Sequence, residues 1–130
     1  MRDIKFRGLK LDDGKWMFGS LFIREQNAYG KPGFLICHFG GYCELVNPKT
    51  IGQYTGLKDK NGVEIYEGDI VVHKGRIKRK CVVVWDGDRW VTEFDLGGDW
   101  KKEVKKYSMR KTHQYEIVGN IYQNPELLED

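Results

Sequence analysis

Proline and cysteine are both scarce in this chain, at three residues each among 130. So few prolines, with 40% hydrophobic and 13% aromatic residues, exclude a disordered chain. No low-complexity tract, repeat period or linker rich in Pro, Gly and Ser interrupts it. The three cysteines (Cys37, Cys43, Cys81) form an odd, sparse set. That argues for a reducing cytoplasm rather than a disulfide framework. No apolar run approaches the roughly 20 residues a membrane-spanning helix needs. The opening MRDIKFRGLK alternates charged and apolar residues, unlike a signal peptide. There is no Walker loop, dinucleotide fingerprint, G-x-S-x-G or H-E-x-x-H motif.

What the chain does have is glycine. Its 16 glycines fall between apolar runs, as in a chain that turns often. Charge is unevenly spread beneath a net +3. Residues 1–73 carry 10 Lys/Arg against 9 Asp/Glu (+1), residues 74–113 carry 12 against 6 (+6), and residues 114–130 carry 0 against 4 (−4). The basic stretch opens with KGRIKRK, which could attract a polyanion.

The period-2 alternation of Ile4 and Phe6 with Lys5 and Arg7 predicts a half-buried strand. Asp13-Gly14 suits a hairpin turn, and KWMFGSLFI (Lys15 to Ile23), apolar on both faces, reads as a central strand. GFLICHF and YCELV flank Gly40-Gly41 as a second hairpin. Asn61-Gly62 is the strongest turn dipeptide, and a strand restarts after Glu67-Gly68-Asp69. Asp86-Gly87 marks another hairpin tip. Trp100, Val104 and Tyr107 have helical spacing behind Asp99, a possible cap, so a short helix is expected within 99–111, although Val, Tyr and Ser are mediocre helix formers. YEIVGNIYQ reads as a strand, and NPELLED as one terminal helical turn with Asn124 as cap and Pro125 first.

These elements predict a mostly antiparallel β fold with little helix. An N-terminal β-sheet subdomain (1–56) would accompany an SH3-like small barrel (57–130) in one compact unit. The expected core is Ile4, Phe6, Trp16, Phe18, Leu21, Phe22, Leu35, Leu45, Ile51, Tyr54, Ile70, Val72, Val82, Val84, Trp90, Phe94, Ile117 and Ile121.

Three blocks carry a family resemblance. YTGLKDKNGVEIYEGDIV (Tyr54 to Val71), IVGNIYQNPELLE (Ile117 to Glu129) and the opening IKFRGL resemble the YopX family of phage and prophage proteins. The resemblance implies a phage- or prophage-encoded, cytoplasmic, mostly β, self-associating protein, with a host or phage protein as a further possible partner. It supplies no catalytic residue. KGRIKRK and the stretch from Phe94 to His113 match none of the family's blocks.

The residues offer three chemistries. Glu67 and Asp69, with Asp59 and Glu64, could do general acid–base work or bind a hard cation. DKNG, however, places its glycine fourth, whereas a calcium loop has it sixth. The plainer expectation is a structural corner in which Asp59, Asn61, Gly62, Gly68 and Asp69 shape turns. Cys37, His38 and Cys43 lack the paired ligand spacing of a zinc site, and neighbouring Cys37 and His38 would point to opposite faces of a strand. The expected metal and cofactor are therefore none, and no catalytic residue is assigned. Third, Lys74, Arg76, Lys78, Arg79, Lys80, Trp85, Lys101 and Lys102 form a basic, Trp-bearing set on which nucleic acid could bind. Against that, lysines on edge strands also prevent sheet-to-sheet aggregation. The function expected first is a non-catalytic oligomeric interaction module, and second a nucleic-acid-binding small barrel using residues 74–111.

Overall fold

The computed structural model describes residues 4–25, 33–38, 40–73, 79–95, 104–110 and 114–129. They form a mostly β protein in which every described strand register is antiparallel. The chain divides into two compact units, Met1–Tyr54 and Thr55–Asp130.

The first unit holds β1 (Phe6–Leu9), β2 (Trp16–Arg24), β3 (Gly33–Cys37), β4 (Cys43–Leu45) and the start of β5 (Gly52–Lys58), ordered β4-β3-β2-β1-β5. The β1–β2 turn closes with Lys10 N–H on Lys15 O, and only Gly14 in it takes a positive φ, of 70°. Asp13 completes the turn by accepting from Lys15 N–H, and that hydrogen bond, helped by the Lys10 ammonium, lowers its carboxyl pKa. Arg7 is 6% exposed, and its guanidinium lies 4.1 Å from the Trp16 ring centroid. Gly19 is required by close approach, since a Cβ there would sit 2.1 Å from the Cys37 carbonyl oxygen. Ile36, Val46 and Tyr54 are buried here.

Four residues expected in the core are instead exposed: Ile4, Phe18, Phe22 and Leu45. β2 is apolar at both alternating sets of positions, so its sequence does not specify which set is covered.

The second unit continues β5 beside β6 (Glu64–Tyr66) and holds β7 (Asp69–His73), β8 (Lys80–Trp85), β9 (Trp90–Asp95), β10 (Val104–Ser108) and β11 (Tyr115–Asn120), ordered β10-β9-β8-β7-β11. Its core is Ile65, Val71, Cys81, Val83 and Tyr115, with Leu57, Trp90, Phe94, Met109 and Ile117 packed against it. Ile70 is buried as expected, but Val72, Val82 and Val84 are only partly so. Val71 pairs with Cys81, and Cys81 and Val83 alternate onto the core side of β8. An unbroken valine run does not reveal this phase.

The expected helix is corrected to a strand over Val104–Ser108, paired with β9 from Val104↔Asp95 to Ser108↔Val91. Val and Tyr favour strands, and cross-strand pairing outweighs a loose helical spacing. Asp99 and Trp100 lie outside the described residues. The five-stranded sheet has β10 and β11 at its edges, so no closed barrel forms among the described residues. Pro125–Leu128 makes a single 3₁₀ turn, but Asn124 does not cap it through its side chain. Its Oδ1 instead accepts from Asn120 N–H at 3.2 Å.

Candidate functional site

The acids of the glycine-rich block have separate positions and partners. Asp59, 7% exposed, accepts on Oδ1 from the N–H groups of Asn61 (2.9 Å) and Val63 (3.0 Å), and on Oδ2 from Ile117 N–H (3.2 Å). Gly62 N–H closes the turn on Asp59 O, with Gly62 at φ +81° and Asn61 at negative φ. This is a three-residue loop with glycine at its left-handed position. Asp69, 2% exposed, accepts from Tyr66 N–H at 2.8 Å. Glu67 lies in the turn before β7, so it does not share a strand face with Asp69. Between them Gly68 takes φ +91°, and a Cβ there would come within 2.9 Å of the Tyr122 ring.

The closing block meets this corner. Gly68 O accepts from Ile121 N–H, and Lys60 N–H donates to Tyr115 O. Asn120 accepts on Oδ1 from Tyr122 N–H (3.1 Å) and Gln123 N–H (2.9 Å). Two of the blocks that carry the family resemblance therefore build one hydrogen-bonded knot within the second unit.

The cysteines differ from expectation. Cys37 and Cys43 are directly paired across β3 and β4 and form a disulfide, with Cα atoms 4.0 Å apart. The sequence signal was the turn, because closure of His38 N–H on Tyr42 O puts Cys37 opposite Cys43. This pairing removes the compositional argument for a reducing compartment. Cys81 is free and buried, and burial pushes its thiol pKa up. Among the described residues no three His, Cys, Asp or Glu side chains cluster as metal ligands.

Of the basic set, Lys74, Arg76, Lys78, Lys101 and Lys102 lie outside the described residues. Arg79, Lys80 and Trp85 are exposed. Registers Trp85↔Trp90, Val83↔Thr92 and Thr92↔Tyr107 set Trp85, Trp90, Phe94 and Tyr107 on the sheet face that carries Cys81 and Val83. Trp85 meets Trp90 edge-on at 5.0 Å, and Tyr107 stacks on Phe94 at 5.8 Å. The Arg79 guanidinium lies 5.3 Å from the Phe94 ring centroid. Sequence reasoning did not single out Tyr107 or Phe94 as site residues, because reading 99–111 as helix hid their pairing.

These features define a small antiparallel β protein with a buried glycine-and-acid corner and an aromatic sheet face. The family model of the YopX protein matches residues 5–129, and the chain belongs to the YopX family. The crystal structure of protein EF1440 from Enterococcus faecalis is similar, with 28% sequence identity and a TM-score of 0.52, covering 99% of this chain and 100% of that one. No curated protein matches the chain.

Proposed function

We propose that this protein is a non-catalytic interaction module that self-associates through the outer face of its first unit. The observation carrying this reading is a solvent-facing apolar row across three strands, Phe22↔Leu35↔Leu45, with Phe22 60% and Leu45 40% exposed. The next row, Ser20↔Cys37↔Cys43, ends on the disulfide, which ties β3 to β4 beside it. Large apolar side chains grouped on a rigid face favour a partner that removes them from water. A second copy offers the same apolar row to match it. The non-catalytic part rests on the corner acids, since Asp59 and Asp69 are buried and accept hydrogen bonds from backbone N–H groups.

Phage or prophage origin and work in the host cytoplasm, with a host or phage protein as a further partner, belong to this reading through the family resemblance. Among the described residues no helix is long and apolar enough to cross a membrane. Light scattering on purified protein tests self-association. The expected species exceeds the 15.2 kDa chain mass, and Phe22→Lys reduces it to monomer. A wild-type protein that stays monomeric at high concentration sinks the proposal.

A further inference from the structure

We infer that the aromatic rim of the second unit, where Trp85 and Tyr107 emerge from the core side of the sheet beside Trp90, Phe94 and Arg79, binds single-stranded nucleic acid. This goes beyond self-association, which rests on the other unit. The first observation is how the rings are held. Trp90 and Phe94 pack against the core cluster, so they are fixed. Each braces an exposed partner: Trp85, 46% exposed, against Trp90, and Tyr107, 56% exposed, against Phe94. Exposed rings held in place are stacking platforms whose ordering cost was met on folding.

The second observation is spacing. Trp85 lies opposite Trp90 and Tyr107 opposite Thr92, so the two exposed rings are two residues apart along the strands and two strands apart across the sheet, roughly 12 Å. A short run of unstacked nucleotides can span that distance and present a base to each platform. The bases of a duplex are already stacked on one another and cannot.

The third observation is charge. Arg79 lies over Phe94 at one end of the platforms, where it can meet a phosphate or stack on a base. Two nearby acids are turned away or paired, since Glu93 alternates to the opposite face from Phe94 and Asp86 is bridged to Lys106 at 3.1 Å, while Asp88 is exposed at the hairpin tip. The sequence from 74 to 113 holds 12 Lys/Arg against 6 Asp/Glu, a balance of +6 that favours a polyanion over an acidic or neutral protein surface.

The test is fluorescence anisotropy with labelled oligo-dT and oligo-rU of about 15 nucleotides and a duplex of the same length. Salt is titrated from about 50 to 200 mM, with tryptophan emission followed in parallel. Single strands should bind more tightly than duplex, quench tryptophan, and weaken as salt rises. The dT and rU arms decide between DNA and RNA. Trp85→Ala and Tyr107→Ala should each weaken binding about tenfold. Both side chains are exposed, so unchanged thermal melts are expected. Arg79→Gln should reduce the salt slope by about one. No binding at the lowest salt, preference for duplex, or full binding by both ring variants overturns the inference. Retention of a protein by this face with no effect of oligo-dT or oligo-rU as competitor also overturns it.

Discussion

The Asp59 carboxylate accepts the backbone N–H of Ile117, 58 positions further along the chain, at 3.2 Å. Its other oxygen holds the N–H groups of Asn61 and Val63 at the tip of its own loop. One buried carboxylate therefore shapes a turn and fastens that turn to β11. Lys60 follows the same course, since its N–H donates to Tyr115 O and its ammonium pairs with Glu116 at 3.1 Å. Within the acid-rich block, Asp59 and Asp69 hold backbone N–H groups of the corner.

Truncating Asp59 should leave three backbone N–H groups without their acceptor. Asp59→Ala is expected to destabilise the second unit by about 2–3 kcal/mol, because hydrogen bonds to a charged group are stronger than neutral ones. Asp59→Asn keeps one carbonyl oxygen and should lose about half as much. Urea denaturation followed by tryptophan emission measures both. A loss below about 0.5 kcal/mol for the alanine variant would mean that water satisfies those donors equally well.

Two glycines of the first unit should respond differently to alanine. Gly14, at φ +70°, has nothing within 4 Å of an added Cβ, so Gly14→Ala meets only left-handed strain of about 1–2 kcal/mol. Gly19→Ala would place Cβ 2.1 Å from the Cys37 carbonyl oxygen and 3.2 Å from His38 N. Backbone must move there, so a loss above about 3 kcal/mol is expected. Comparable melting temperatures for the two variants would contradict the close approach of β2 and β3.

The glycine positions made the architecture legible in the sequence. Gly14, Gly41, Gly62 and Gly87 all take positive φ in turns that join paired strands, and the fold class followed from them. At the last tip, Asp86 N–H donates to Arg89 O and Gly87 is at φ +91°, so the turn is Gly87-Asp88, one residue beyond the dipeptide read there. The covered side of each strand was harder to read. In Ile70-Val71-Val72 and Val82-Val83-Val84 every residue is apolar, so alternation carries no phase, and burial was assigned to Val72, Val82 and Val84 when Val71 and Val83 are fully buried. The aromatic site depended on a long-range pairing, Tyr107↔Thr92. Local spacing of Trp100, Val104 and Tyr107 suggested a helix, and only the neighbouring strand resolves that ambiguity.

Alkaline pH should weaken the second unit. Burial raises the pKa of the Cys81 thiol above its ordinary 9.0 and that of the Tyr115 phenol above 10.0. For each group the unfolded chain loses its proton first, so the folded state holds more protons at alkaline pH and stability falls as pH rises. The stabilisation is complete below about pH 9 and declines above it, first through Cys81 and then through Tyr115. Denaturant midpoints between neutral and strongly alkaline pH should show this decline. Cys81→Ala should remove the earlier part of the decline and leave the later part. An unchanged profile in that variant would assign the whole effect to other groups.

Reduction of Cys37–Cys43 should have a bounded effect on stability. The bridge closes a short loop, with a sequence separation of 6, and chain-entropy arguments assign such a loop about 2 kcal/mol. β4 is a three-residue edge strand, so the loss should fall on this hairpin and leave the second unit's midpoint in place. Cys37→Ser with Cys43→Ser should reproduce the effect of reductant, and reductant should do nothing further to that variant. Thiol titration gives an independent check. The oxidised folded protein should show no fast-reacting thiol, because Cys81 is 6% exposed and its thiol is held protonated by burial. Reduction should release two fast thiols, and denaturation a third. Two fast thiols before any reductant is added would show that the pair is open in the isolated protein. The hairpin would then be held by its β3–β4 pairing and by the closure of His38 N–H on Tyr42 O.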